Sequence, residues 1–231
     1  MIRHRVGIGV VGLLLCGVAL GGPGQPSSKG WKALCGKNAQ LGLDEDRLAQ
    51  MLGQCHEKGL SVREADALLR PIHTAHDESL PVECIFIKIE EGLAKQVDAA
   101  RITAAAESRL DCLRKARALI ARQNSGRGGP PHLITRICLA LESGVPEEVL
   151  EDLFKRHGGY RYGRFIQVVE AAETLQLAGL DPGDTQQVLN DCLDRGLRRQ
   201  EILRVVDYVI AEHRKGIDFK SIHAGLWVHS D

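Results

Sequence analysis

Histidines and acids that could bind a metal ion lie close together in residues 73–78, HTAHDE. In a helix, His73 and His76 are one turn apart on one face, and Asp77 lies four positions from His73. Two imidazoles and a carboxylate form a ligand set that zinc or another divalent metal accepts. Pro71 also indicates a helix start just before them, where acids are common because they complement the helix dipole. A metal site and an ordinary solvated helix face are therefore the two interpretations.

A second candidate is an aromatic and basic segment that holds two of the three tyrosines of the chain. Its members are Tyr160, Arg161, Tyr162 and Arg164. Aromatic rings and arginines together bind glycans or single-stranded nucleic acid by stacking. The sequence favours a loop and a helix start, with Tyr162 and Phe165 anchored in the core. Since loops often carry function, a binding surface at these residues is the alternative.

The familiar catalytic motifs are missing from the sequence. It contains no GxSxG nucleophile elbow and no GxxxxGK[ST] phosphate-binding loop. No catalytic or cofactor-binding residue is therefore predicted, and a divalent metal is the single cofactor that the residues suggest. The sequence leaves enzymatic activity open and favours a non-enzymatic role. The alternative is a metal-dependent periplasmic enzyme that uses His73, His76 and Asp77.

Six cysteines follow the first 28 residues. An even count in an exported chain favours disulfides, whereas wide spacings within apolar helical patterns favour buried thiols. Cys55 and Cys192 each lie four residues before a glycine, where a small buried side chain fits. The pairing stays open for the whole set: Cys35, Cys55, Cys84, Cys112, Cys138 and Cys192.

The N-terminal residues predict a Sec-type export signal. Arg3 and Arg5 precede an apolar run over residues 6–20, which ends in small residues. A basic start, a short apolar core and small residues at the end are typical of a signal peptide. We expect cleavage after Gly21 and a periplasmic or extracellular protein. The alternative is an uncleaved N-terminal helix that tethers an adaptor to the membrane.

The charge of the chain excludes some partners. Basic and acidic residues number 30 each, and the predicted cleavage removes two arginines and no acid. The mature chain is then slightly acidic and has no basic stripe for nucleic acid or for an anionic membrane. We therefore expect a protein or an envelope component as partner, no nucleic acid, and no stable membrane span after cleavage.

The elements that must position these residues are helices. Apolar residues recur three and four positions apart, and no long alternating pattern or hairpin turn occurs. Residues 97–123 predict one long helix, with Arg109 outside its apolar stripe. The predicted stripe consists of Val97, Ala100, Ala104, Leu110, Leu113, Ala116, Leu119 and Ile120.

A repeated junction supports the same fold class. A helix end, a glycine, an aliphatic residue and a new helix follow one another at six places, and glycine at such a position ends a helix without steric cost. The pattern predicts an all-α fold, either an irregular helical bundle or a short α-solenoid of antiparallel helix pairs. The six glycines are Gly59, Gly92, Gly144, Gly179, Gly196 and Gly216.

Breaker-rich segments predict the domain organisation. Residues 1–21 are the signal peptide, and residues 22–39 are a flexible tether that begins with glycine, proline and serine. The run over residues 123–131 is the strongest breaker segment that follows the signal. It is predicted to be a linker between an N-terminal lobe, residues 40–122, and a C-terminal lobe, residues 132–231.

Three segments resemble a group of exported bacterial helical proteins. They are LPVE at residues 80–83, KIEEGLAKQV at 88–97 and LRKARALI at 113–120. The group has segments of the GLP, EGLAKGVP and RARALL types, and this chain has Gln96 where the group usually has glycine. The group has no known function, so the resemblance implies an exported helical protein and no site residues.

Overall fold

The computed structural model describes residues 29–40, 42–123, 129–157 and 162–227, which form eleven α-helices and no strand. The predicted all-α class is confirmed. The predicted signal, residues 1–21, lies outside the described residues. The helices are α1 (Lys29–Ala39), α2 (Glu45–Glu57), α3 (Val62–Asp77), α4 (Glu83–Ala94), α5 (Ala99–Gln123), α6 (Pro131–Glu142), α7 (Glu147–His157), α8 (Tyr162–Leu177), α9 (Pro182–Asp194), α10 (Arg199–Arg214) and α11 (Phe219–Leu226).

One type of turn ends seven of these helices. A residue with positive φ donates its N–H to the carbonyl three residues earlier, and the next N–H donates to the carbonyl five residues before it. This is the Schellman motif, which satisfies carbonyls that the helix end leaves unpaired. Five of the six predicted glycines have this role, so the predicted junction is confirmed there. The residues with positive φ in the seven turns are Gly59, Ser79, Gln96, Gly144, Gly179, Gly196 and Gly216.

The prediction of a turn at Gly92 is wrong. Gly92 lies inside α4, and a Cβ there would be 2.7 Å from Cγ1 of Ile102 in α5. Glycine at this position lets the two helices approach closely. The helix continues to Ala94, and Leu93 after the glycine is a core residue, 2% exposed. The turn comes later, at Gln96, where φ is 56°.

The predicted helix start at Pro71 is also wrong. Helix α3 begins after Ser61, whose hydroxyl accepts from the N–H of Glu64 while the Glu64 carboxylate accepts from the N–H of Ser61. This capping box fixes the helix start at Val62, nine residues before Pro71. Pro71 is buried inside α3, so His73, His76 and Asp77 lie at the C-terminal end of the helix.

Residues 29–39 form helix α1, so the prediction of a flexible tether over residues 22–39 is wrong for this part. Trp31 and Leu34 are one turn apart and are 4% and 6% exposed. They pack α1 against α2 and α3. The glycine, proline and serine residues that suggested a tether extend to Gly30, which lies in α1, and residues 22–28 lie outside the described part of the chain.

The helices form two layers in which alternate helices are neighbours. In one layer α1, α3, α5, α7 and α9 contact each other in succession. In the other layer α2 contacts α4, and α8 contacts both α6 and α10. Side chains complete both series. The Cys84 sulfur is 3.2 Å from the Thr135 hydroxyl between α4 and α6, and His223 Nε2 is 2.6 Å from Asp191 Oδ2 between α11 and α9.

The core is continuous through the described residues. Buried apolar side chains form one connected cluster from Trp31 in α1 to Ile222 in α11. Helix α5 contacts α3, α4, α6 and α7, so it joins the two predicted lobes. Residues 124–128 of the predicted linker lie outside the described part. No helix of the described chain is long and apolar enough to span a membrane.

Helix α5 corrects part of the predicted apolar stripe. The prediction holds from Leu110 to Ile120, where the stripe residues are buried. Ala100 and Ala104 are exposed instead, because the approach at Gly92 turns Ile102 toward α4. Arg109, expected outside the stripe, is 6% exposed and contacts α6.

Ion pairs join neighbouring helices of each layer. Arginine and glutamate side chains from alternate helices meet near the layer surface, where a bidentate arginine adds directional hydrogen bonds to the charge attraction. These contacts fix how each helix sits against the next one in its layer. The pairs are Arg47 with Glu83 and Glu90, Glu78 with Arg114 and Arg117, Arg122 with Glu147 and Glu151, and Arg136 with Glu173.

Candidate functional site

The predicted metal ligands lie in the last turns of α3. His76 Nδ1 is 3.8 Å from Asp77 Oδ1, and these side chains are 40% and 78% exposed. A Cβ on Gly42 would lie 3.4 Å from the His76 ring, so the ring lies against the turn before α2. Partial burial, followed by the charge of Lys37, lowers the pKa of His73. Metal binding by these residues stays a prediction.

The predicted aromatic surface falls partly outside the described chain. Tyr160 and Arg161 lie outside it, and α8 begins at Tyr162, with Arg164 in its first turn. Phe165 is 3% exposed, and its ring centroid is 4.5 Å from that of Phe154 in α7. The predicted anchoring of the helix start by Phe165 is therefore confirmed.

A different group of reactive side chains lies between α5 and α6. Within the described residues, it is the one set of three His, Cys, Asp or Glu side chains whose candidate ligand atoms all lie within 4.8 Å of one another. Its members are Cys112 of α5 with Cys138 and Glu142 of α6. The sequence gives no sign that the two cysteines meet, because 26 positions and a breaker segment separate them.

An open groove lies at the last helices of the stack. Its volume is about 510 Å³, and it is bounded by the end of α9, by α10 and by the end of α11. The apolar side chains along it are half-buried and pack on the core. They are Leu197, Val205, Leu226 and Trp227.

Charged side chains flank this apolar floor. The guanidinium carbon of Arg195 is 4.0 Å from the centroid of the Trp227 ring, a cation–π contact. Arg204 and Glu201 are exposed on α10. The Glu201 carboxylate accepts a hydrogen bond from the backbone N–H of Arg198 at 2.6 Å, so it caps the start of α10. The groove therefore offers positive charge beside apolar surface.

Helix α10 is the last described helix of its layer. It contacts α8 and α11, and Leu203 and Tyr208 on it are 46% and 40% exposed. A Cβ on Gly225 would lie 2.8 Å from the Tyr208 hydroxyl, so this glycine lets the tyrosine lie against α11. The apolar floor of the groove, which we call the end surface, consists of Leu197, Val205, Leu226 and Trp227.

The chain matches no protein-family model, no curated protein and no solved structure. Its class therefore rests on its own fold: an all-α protein of two helical layers with an open groove at one end.

Proposed function

We propose that this chain is an exported, non-enzymatic helical-repeat protein that binds a protein or another envelope component through its end surface. The groove carries the proposal, because its floor combines Trp227 and three aliphatic side chains with arginines at the rim. Tryptophan and arginine are the residues that most often dominate binding energy at protein interfaces. Stacked helices with repeated turns commonly present such extended binding surfaces.

The chemistry of the groove indicates the kind of partner. Half-buried Leu226 and Trp227 suit an apolar side chain, and Arg195 and Arg204 suit a carboxylate next to it. The volume of about 510 Å³ fits a few side chains rather than a whole domain. We therefore propose a protein segment with an apolar residue beside an acid as the ligand.

A photo-reactive amino acid at Val205 tests this proposal in producing cells. The matched control is the same amino acid at Ala67, which is also half-buried and lines a groove of about 370 Å³ between α3 and α5. We expect one dominant cross-linked protein from position 205 and none from position 67. The cross-linked segment should contain an apolar residue beside an acid.

A synthetic peptide of that segment then measures binding directly. We expect it to change the fluorescence of Trp227 and to bind at least tenfold more weakly to an Arg195→Glu variant with an unchanged circular dichroism spectrum. Equal cross-linking at both positions, or a peptide that binds the variant as tightly, would contradict the proposal.

Export is tested separately by mass spectrometry of the mature N-terminus. The signal-like pattern at residues 1–21 supports a first residue of Gly22 in the periplasm or medium. A chain that keeps its N-terminal residues in the membrane fraction would favour the tethered adaptor. The full chain in the soluble interior of the cell would exclude both.

A further inference from the structure

Helices α5 and α6 make the most extensive contact of any two described helices, and two cysteines face each other across it. The Cys112 thiol lies 3.5 Å from the carbonyl oxygen of Cys138, and the Cys138 thiol lies 3.9 Å from the carbonyl oxygen of Arg109. Each sulfur therefore points at the backbone of the opposite helix. The two sulfurs lie within 4.8 Å of each other.

We infer that Cys112 and Cys138 form a redox-active dithiol whose oxidation by a disulfide reagent cross-links α5 to α6. This inference is independent of the end surface and of export. A disulfide needs a sulfur separation of about 2.05 Å. The two sulfurs must therefore approach by up to about 2.8 Å for the bond to form.

The two thiols differ in the way that an attacking and a resolving cysteine differ. Cys112 is half-buried, whereas Cys138 is fully buried. The neighbouring Cys138 thiol and the cations Lys115 and Arg109 lower the pKa of Cys112 against burial and Glu142. The Cys112 thiol and burial raise the pKa of Cys138. Because Cys112 is also the more exposed of the two thiols, it is the nucleophile.

The reaction is a thiol–disulfide exchange with an external disulfide as oxidant. The Cys112 thiolate attacks one sulfur of the reagent, forms a mixed disulfide and expels a thiolate. Cys138 then loses its proton, attacks the Cys112 sulfur and expels the second thiolate. The two protein thiols lose two electrons, the reagent disulfide gains them, and the two thiol protons end on the two released thiols.

The neighbouring charges favour this chemistry over the binding of a cation. Arg109 Nε donates to Glu142 Oε1 at 2.5 Å, and Arg109 is 6% exposed. The carboxylate nearest the thiols is thus already paired with a buried guanidinium. A positive group at this point opposes a metal ion and stabilises a thiolate.

The other cysteines supply the contrast. Burial raises the pKa of Cys55 and of Cys192 to about 12, which makes them poor nucleophiles. Cys35 is half-buried like Cys112, but burial raises its pKa. Cys35→Ser is therefore the matched control for removal of an accessible thiol.

Oxidised glutathione added to the purified full chain tests the inference, with alkylation and peptide mass mapping as the readout. We expect one cross-linked peptide that joins Cys112 to Cys138, while Cys55 and Cys192 remain alkylatable after denaturation. The cross-link closes a loop and should raise Tm by about 5 to 10 °C. Cys35→Ser should behave as the unmodified sequence does.

Single substitutions separate the two roles. Cys138→Ser should accumulate a glutathione adduct at Cys112, whereas Cys112→Ser should leave Cys138 unmodified, and neither should gain Tm on oxidation. A wild-type chain that keeps glutathione on Cys112 without closing the bridge would overturn the inference. So would a cross-link to Cys35, or stoichiometric protection of both thiols by zinc ions under conditions that leave them uncross-linked.

Discussion

At the scale of single residues, two turns place a residue other than glycine in a left-handed backbone conformation that favours glycine. Ser79 and Gln96 have φ values of 54° and 56°, in the position that glycine occupies in the five other Schellman turns. A left-handed conformation costs a residue with a Cβ about 1 to 2 kcal/mol.

We expect Gln96→Gly to raise the free energy of unfolding by about 1 kcal/mol, because it removes this strain. The greater conformational entropy of glycine in the unfolded chain offsets part of the gain. Urea unfolding with an unchanged m value measures it. The matched control is Gly59→Ala, where φ is 77° and no atom lies within 4 Å of the added Cβ. It should lose about 1 kcal/mol from backbone conformation alone. Equal stability of Gln96→Gly and wild type would contradict the argument.

Glu78 is a residue whose charge matters for stability. Its carboxylate accepts from Arg114 at 2.5 Å and from Arg117 at 3.3 Å, and these hydrogen bonds and charges lower its pKa. A group with a lowered folded-state pKa stabilises the protein above its unfolded pKa, about 4.3 for glutamate. That contribution is lost as the pH falls through the lower folded-state pKa.

Glu78→Gln should therefore cost about 1 kcal/mol at pH 7, and the difference from wild type should shrink below about pH 4. The pairs are partly exposed, which keeps the value small. Glu91→Gln is the control, because Glu91 forms an exposed pair with Lys88 at 3.8 Å within one helix. Its effect should stay within about 0.5 kcal/mol at both pH values.

At the scale of helices, sequence periodicity and glycine spacing predicted much of what the structure shows. The helix predicted at residues 97–123 is α5, Ala99–Gln123, because apolar periodicity is a local signal. Gly92 misled the prediction because its role is a contact with Ile102 of another helix. The turn at Gln96 was not predicted, because the predicted turns were recognised by their glycines and this one has a glutamine at the left-handed position.

The close approach of α4 and α5 at Gly92 can be tested, because the effect of Gly92→Ala on stability should reverse when Ile102 is shortened. Gly92→Ala should destabilise the protein by about 1 kcal/mol. Overpacking against Ile102 costs about 1 to 3 kcal/mol, and the higher helix propensity of alanine offsets about 1 kcal/mol of this cost. In an Ile102→Ala background the clash is gone, so Gly92→Ala should stabilise by about 1 kcal/mol. Thermal or urea unfolding of the four variants measures this coupling, and additive effects would contradict the contact.

At the scale of the whole molecule, the arrangement depends on contacts that sequence rules do not reach. The partly buried pair of Arg109 with Glu142 and the pair of Cys112 with Cys138 both join residues on opposite sides of the breaker segment that suggested a domain boundary. Composition marks such a segment as a break in the chain, but only packing decides whether the core continues past it. Here α5 and α6 pack against each other, so the two predicted lobes share one core.

A shared core predicts that both ends of the stack unfold together. The two tryptophans report the ends separately: Trp31 in α1, and Trp227 beside α11. Trp31→Phe and Trp227→Phe variants each leave one reporter. Leu113 is fully buried in the middle of α5, and Leu113→Ala should cost about 2 to 5 kcal/mol. Because α5 joins both halves, we expect this change to lower the urea midpoint equally for both reporters, whereas a shift confined to one reporter would show two independent units.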